Sequence, residues 1–269
     1  MRLNMGLVDF CKITFKYNTL WGGLIPMHVF GIIAIYLAFS GGWQAINWLY
    51  LAAGYFCIMI LGVTAGYHRL ISHKSFETYS PIRYVLLFFG ILAGQGSPIF
   101  WTVTHRGMHH PHSDTLKDPH SPMHGFWHSW MFWLWKIEES DVSARSVLDL
   151  IRDPVTAFTH KYYIQIYWAL NLTIILLAGF NFWLWFVIVP SIVAFHSYSV
   201  TNSLNHYKSL GYRNYDTKDN STNVWWLWPL VLGECWHNNH HGDVKSYHFG
   251  GRRWWEVDPA GAVIRMIKK

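Results

Sequence analysis

The chain has 269 residues, 52% hydrophobic and only 13% charged, with 17 Trp, 15 Tyr and 17 Phe and a net charge of +6. Soluble domains usually carry about twice that share of charge. The composition therefore argues against an ordinary soluble domain and for a protein in a bilayer, where Trp and Tyr collect at the interfaces. Three cysteines without a pairing pattern (Cys11, Cys57 and Cys235) argue against a disulfide framework and against a cysteine-based zinc or iron–sulfur site.

Residues 1–18 are short and mixed, with Arg2, Lys12 and Lys16. An apolar block over 20–40 is long enough to cross a bilayer at about 20 residues per span. Its positive front end resembles a signal peptide, but its length and the lack of a clear small-residue cleavage site favour a retained span. After Gly41-Gly42 a second apolar block, 46–67, leads directly to His68. A third, 84–104, ends at His105. Residues 105–161 are polar and rich in histidine, with acids at Glu138, Glu139 and Asp141. Two further spans are predicted over 164–180 and 182–200, separated by a tight turn near Asn181. The remainder is polar and then rich in Trp.

All 21 Lys and Arg fall within 2–16, 69–161 and 208–269, and the turns near Gly41 and Asn181 carry none. The positive-inside rule places those three segments in the cytosol. None of the 15 carboxylates lies between Phe10 and Phe76 or between Pro154 and Tyr215, which agrees. So distributed, the charge points to topology and not to nucleic acid as a partner. The expected fold is all-α and integral to the membrane: four transmembrane helices in two hairpins, both termini cytosolic, and a cytosolic helical cap over 68–161 and 201–269. A fifth crossing by 84–104 would put His68 and His105 on opposite faces and break the charge rule. Gly94, Gly96 and Pro98 interrupt the segment, so it reads as a re-entrant or interfacial helix packed against protein. No internal repeat is visible, and the whole chain, 1–269, reads as a single membrane domain.

The histidines carry the chemistry. His68 and His73, then His105, His109 and His110, then His237, His240 and His241 place eight imidazoles in three short segments that this topology brings to one face. Imidazole is the commonest neutral metal ligand. A single structural zinc site uses about four ligands, so eight suggest two metals. On a regular helix His237, His240 and His241 share an arc of roughly 100°. Asn202 and His206 stand four residues apart where the last span ends, and so share a helix face as a further ligand pair. His28, His124, His128, His160, His196 and His248 read as surface or interface residues. Asp114, Asp118 and Glu234 lie near the clusters; they read either as carboxylates that orient histidines through the free ring N–H or as ordinary solvated or capping acids.

These residues fall in ordered motifs: HRLISH at 68–73, HRGMHH at 105–110 followed by SDTLKDPHSP, NSLNH at 202–206 and GECWHNNHH at 233–241. Together with Thr64-Ala-Gly-Tyr-His68-Arg-Leu and Trp254-Trp255-Glu-Val-Asp258-Pro, they resemble the membrane fatty acyl desaturases over roughly residues 20–265. The nearest pattern is the Δ9, stearoyl-CoA-desaturase-like branch, in its bacterial-type members. The resemblance implies two iron ions held by His68, His73, His105, His109, His110, His206, His237, His240 and His241, with Asn202 reaching a metal through water. It places Gln95 and Trp101 near the bend of an acyl tunnel, and Arg106 and His120 near the acyl headgroup. Tyr198 stands where a small residue is usual, which leaves chain length and tunnel shape open.

A mid-chain methylene has no acidic proton and no leaving group, so acid–base or nucleophilic catalysis cannot start there. Iron, O2 and two electrons supply the oxidant required. The expected activity is insertion of a cis double bond, Δ9 by resemblance, into the acyl chain of an acyl-CoA or acyl-lipid. The electron donor is expected to be a separate protein, cytochrome b5-like or ferredoxin-like, since no His-Pro-Gly-Gly segment is present. The setting is multi-pass, in a bacterial inner membrane or the endoplasmic reticulum. A membrane di-iron hydroxylase of alkyl chains or sterols shares the oxidant and is the alternative enzyme. A non-catalytic metal transporter is disfavoured because the central spans lack acids. A soluble di-iron carboxylate enzyme needs two Glu-x-x-His pairs, and only Glu234-Cys-Trp-His237 has that form.

One spacing departs from the branch. Its second box is His-x-x-His-His, whereas this chain has three residues between His105 and His109. On a regular helix His110 would then point about 140° from His105. A π-bulge at Arg106–Met108, favoured by Gly107, would absorb the extra residue and turn all three imidazoles to the metals.

Overall fold

The computed structural model describes residues 19–137 and 144–269. The cytosolic side assigned to the N-terminus and the acids Glu138, Glu139 and Asp141 lie outside the described residues. Among the described residues every regular element is helical, and β-pairing is limited to isolated bridges such as those of Asn223 with Tyr212 and Trp236.

Three helices are long and apolar enough to cross a membrane: α1 (Leu20–Phe39), α2 (Ile46–Ser72) and a later one at Phe180–Leu204. Helix α2 has 27 residues, more than the about 20 that a crossing needs. Its last turns carry His68. Those turns, Phe56–Ser72, are π-helical and end on the bond from His73 N–H to the His68 carbonyl, 3.0 Å. The expected third span is the shorter helix Tyr163–Ala178, with 16 residues.

The segment expected to be re-entrant divides into α3 (Ser80–Leu92) and α4 (Pro98–Thr102). Between them Gly94 (φ +69°) and Gly96 (φ +95°) hold left-handed backbone that a residue with a Cβ rarely adopts. Helix α3 lies against α2 so closely that a Cβ at Gly62 would stand 2.5 Å from the Phe89 carbonyl carbon. Helix α5 (Pro154–Lys161) is capped by Asp153, which accepts from Val155 N–H and Thr156 N–H and pairs with Arg83 of α3.

Helices α6 (Tyr163–Ala178) and α7 (Phe180–Leu204) are separated by Gly179 (φ +87°), so the turn expected near Asn181 falls two residues earlier and Asn181 itself lies inside α7. Asparagine tolerates turns, but glycine takes positive φ at no steric cost, and the chain turns at the cheaper residue. Helices α2 and α7 also meet backbone to backbone, since a Cβ at Gly54 would lie 2.1 Å from the Phe186 carbonyl oxygen. The buried core runs along this contact and includes Leu24, Met27, Ile58, Val63, Trp183 and Ile188. The outer faces of these helices expose large apolar residues, Phe39 at 90% and Leu177 at 83%, as lipid contact requires and water does not favour. Beyond the apolar layer, α8 (His237–Gly242) and α9 (Pro259–Ile267) close the C-terminal part.

Candidate metal centre

Nine histidines come together from four separate stretches of chain, and they form two groups. His68, His73, His105, His110 and His240 make one; His109, His206, His237 and His241 make the other. Within each group the available ring nitrogens lie within 4.8 Å of one another.

Helical pitch decides which histidine joins which group. After α4 the chain continues as π-turns, Val103–His109, closed by the bond from His110 N–H to the His105 carbonyl. A π-turn pairs residues five apart. It therefore puts His105 and His110 on one face, as it does His68 and His73, and both pairs enter the five-histidine group. The regular helix α8 pairs residues four apart. His237 and His241 go together into the four-histidine group, while His240 turns to the other. Gly107 sits in the wide turn against Ser146, whose Oγ would lie 2.4 Å from a Cβ there.

Carboxylates set the ring tautomers. His68 Nδ1–H donates to Glu234 (2.8 Å), His109 Nδ1–H to Asp118 (2.8 Å), His206 Nδ1–H to Asp114 (3.1 Å) and His241 Nδ1–H to Asp219 (2.7 Å). Each of these rings, when neutral, then offers only a lone pair at Nε2. Yet the bare Nε2 atoms of His109 and His241 face each other at 3.3 Å, with no proton available between them. Similar approaches recur: His68–His240 3.1 Å, His110–His105 3.1 Å, His73–His105 2.9 Å and His206–His237 3.0 Å. Two nitrogens bound about 2.1 Å from one ion at a right angle stand roughly 3.0 Å apart. The spacing suits nitrogens that share a cation and does not suit mutual hydrogen bonding.

Burial, followed by the neighbouring imidazoles, holds the His105, His110, His237 and His240 rings well below their usual pKa and hence neutral, the form that binds metal. Glu234, although buried, is held below the usual carboxylate range by His68 and Arg69. Asp219 is likewise held well down by its bond from His241.

Of the residues singled out around the histidines, Gln95, Trp101, His120, Tyr198 and Asn202 line one narrow cavity of about 40 Å3 that ends on His105. Trp101 Nε1–H donates to Gln95 (3.3 Å). The Asn202 Oδ1, Tyr198 hydroxyl and Gln95 Nε2 atoms are buried without protein partners. His120 is buried beside the His109 ring and 3.6 Å from Asp118. Arg106 is not in this lining; it pairs with Asp149 at 2.7 Å, and Lys74 joins the same carboxylate. A larger hollow, about 710 Å3, lies between Trp225, Trp226, Trp254 and Trp255, but none of the nine histidines lines it.

Sequence reasoning named Asp114, Asp118 and Glu234 beside the histidines but missed Asp219, which sits in a polar loop with nothing to distinguish it. It also missed Arg69, buried between Glu234 (2.9 Å) and Asp258 (2.7 Å) with its guanidinium 3.7 Å from the Phe249 ring centroid. The motif His68-Arg69 was the available signal. Asn239 was passed over as filler within its box; it ties α8 to Phe249 O (2.8 Å) and Glu256 (3.1 Å). Of the histidines read as bland, His160 is buried against Ser97 (2.5 Å), because its face of α5 packs under the start of α4.

A family model for fatty acid desaturases matches residues 46–265. An sn-1 stearoyl-lipid 9-desaturase of Anabaena variabilis is 39% identical over 93% of this chain and 89% of its own. A protein of the same description from Synechocystis is 35% identical over 90% of this chain and 74% of its own. An acyl-CoA 5-desaturase of Anemone leveillei is 33% identical over 88% and 73% respectively. The matched region contains α2 through α8, most of α9 and all nine histidines, so the two histidine groups beside a narrow cavity are the centre of a protein that belongs to the fatty acid desaturase family.

Proposed function

We propose that this protein inserts a cis double bond, at Δ9, into a saturated fatty acyl chain, using O2 and two electrons at a centre of two iron ions. One observation carries the reading: nine imidazoles stand in two groups, the ring nitrogens of each within 4.8 Å of one another, and His105 of one group lines a narrow cavity. In this reading His68, His73, His105, His110 and His240 hold one ion. His109, His206, His237 and His241 hold the other, with Asn202 Oδ1 placing a water. Iron bound there would supply, with O2, an oxidant able to take hydrogen from an unactivated methylene.

The chain's own residues do the rest. Glu234, Asp118, Asp114 and Asp219 hold Nδ1–H of their histidines and keep each Nε2 aimed inward. Trp101 and Tyr198 shape the cavity beside His105 and exclude water, and Gln95 fixes the Trp101 indole. The balance closes as follows: two hydrogens leave adjacent carbons, and with two electrons and two protons they reduce one O2 to two waters. A separate cytochrome b5-like or ferredoxin-like protein delivers the electrons. The proposed setting is one membrane domain with four spans, α1, α2, α6 and α7, in two hairpins. Helices α3 and α4 form the re-entrant element, and the histidines face the cytosol. An acyl chain on a membrane lipid is the proposed substrate, in keeping with the names of the Anabaena and Synechocystis relatives.

The test is lipid analysis of a desaturase-deficient cell expressing the chain. Double bonds at Δ9 are expected, and the His68→Ala form is expected to make none. A hydroxylated chain in their place would establish the hydroxylase reading, and unchanged lipid would refute both.

A further inference from the structure

The cavity at the histidines is closed from the lipid-facing surface by a single layer of side chains. Leu24 of α1 and Phe195 of α7 line its wall, and both also line a second hollow, an apolar groove of about 270 Å3 on the outside. Each is almost fully buried, at 3% and 6% exposure. Across them the groove presents Val29 and Ile32 of α1 together with Met131 and Trp135. Ile32 is 68% exposed on a helix long enough to cross the membrane. The groove therefore opens on the exposed apolar face of α1.

The two helices are joined at this point by their own polar contact. His28 Nδ1–H donates to the Leu24 carbonyl (2.7 Å), and His28 Nε2 then accepts from His196 Nε2–H at 3.1 Å. The His28 ring also meets the Phe195 ring edge-on, with centroids 5.9 Å apart. Helix α1 is not regular here: a π-turn over Leu20–Leu24 runs into Pro26, which has no N–H to close the next turn. A wide turn, a proline and one hydrogen bond between imidazoles make this a yielding part of the wall.

We propose that this groove is a side entrance, through which the acyl chain of an intact bilayer lipid passes between Leu24 and Phe195 into the cavity. Val29, Ile32 and Trp135 hold the chain outside, and the His28–His196 bond keeps the wall shut between turnovers. The occupant is a lipid acyl chain because the groove is apolar, opens on the exposed apolar face of α1 and is continuous with the cavity through shared walls. The inference rests on the reading of the cavity as an acyl site. The competing approach is from the cap side, where a hollow of about 620 Å3 lined by Lys117, Lys136 and His124 shares Trp133 with the same cavity.

The experiment uses the full-length, iron-loaded protein in nanodiscs of a phosphatidylcholine whose sn-1 chain carries a mid-chain diazirine. Photolysis is expected to label both the α1 segment around Leu24 and, past the wall, Phe195. Val29→Cys alkylated after folding with a bulky maleimide is compared with the same variant unalkylated, so folding is held constant; wild type, with its own Cys57, is treated in parallel. Alkylation is expected to remove the Phe195 adduct and to lower conversion of the lipid chain about tenfold or more, as blocked positioning does. The side entrance is refuted if adducts stay on Val29 and Ile32 alone, which is annular lipid only. It is also refuted if alkylation leaves conversion intact while the same treatment of Lys117→Cys stops it. Labelling of Phe195 without any double bond in any form would sustain the entrance and refute the desaturase reading.

Discussion

Glu234→Gln separates the two histidine groups in a measurable way. The Glu234 carboxylate is fully buried and accepts from His68 Nδ1–H at 2.8 Å and from Arg69 at 2.9 Å. Glutamine keeps the shape and one acceptor oxygen but loses the charge, so Arg69 is left with Asp258 as its only anionic partner. Breaking a buried ion pair costs about 3–5 kcal/mol, and the retained acceptor places this change near the lower end, about 3 kcal/mol. Loss of a carboxylate behind a ligating histidine typically weakens metal binding 10–100-fold, or about 1.4–2.8 kcal/mol. Only the five-histidine group contains His68. Iron titration with elemental analysis is therefore expected to find one weakened and one unchanged ion per chain. Asp219→Asn, behind His241, is expected to weaken the other ion. The two-group assignment is wrong if Glu234→Gln leaves both affinities unchanged, or if both variants weaken the same ion.

The metal-free protein is expected to lose stability as pH falls below about 6.5. The His105, His109, His110, His237 and His240 rings have lowered pKa values, so they stabilise the fold above the unfolded value and oppose it as protons add. His73 and His241 are lowered too, whereas His206 is raised, because Asp114 outweighs its burial, and it acts with the opposite sign, one ring against seven. Melting temperature in detergent from pH 8 to 5 checks this; a flat profile would contradict it. Gly54→Ala forces a Cβ to 2.1 Å from the Phe186 carbonyl oxygen, which should cost about 1–3 kcal/mol and lower the melting temperature, while an unchanged melt would mean that α2 and α7 do not meet there. Tyr198→Phe removes a buried hydroxyl that has no partner and is expected to keep or raise stability. Tyr198→Ala widens the cavity and is expected to change the chain-length distribution of products, as gas chromatography of the lipids would show.

The chemistry of the centre was readable because its residue types are rare in apolar surroundings and recur at helical spacings. His68, His73, His105 and His110 stand out at once in a chain this poor in polar groups. The departure at residues 105–110 was also readable, since the i, i+5 spacing of His105 and His110 has one simple solution, a π-turn, and His110 N–H does bond the His105 carbonyl. What one-dimensional periodicity does not contain is which neighbouring face receives which ring. His237, His240 and His241 share an arc, yet they divide between the groups, because the line between the two groups crosses that arc. Asp219 reaches His241 across 22 residues of sequence, and no local pattern marks a carboxylate whose partner is that distant. The turn near Asn181 was legible but its exact residue was not: Gly179 and Asn181 are both turn formers, and only the backbone cost separates them. Span length has the same character. Helix α6 has 16 residues because Tyr163 and Gly179 bound it, and neither residue breaks the hydropathy pattern that suggested a full crossing.

The arrangement of carboxylates gives the two groups unequal electrostatics. Behind the four-histidine group stand Asp118, Asp114 and Asp219, each on a different ring. Behind the five-histidine group, among the described residues, stands Glu234 alone, and its charge is shared with Arg69. A carboxylate on Nδ1–H makes the opposite nitrogen a stronger donor to a cation. The four-histidine group therefore offsets its smaller number of protein ligands with more basic ones. Of the nine histidines, only His105, of the five-histidine group, lines the cavity. Two chemically unequal positions on one face suit a reaction that removes hydrogen from two adjacent carbons in sequence.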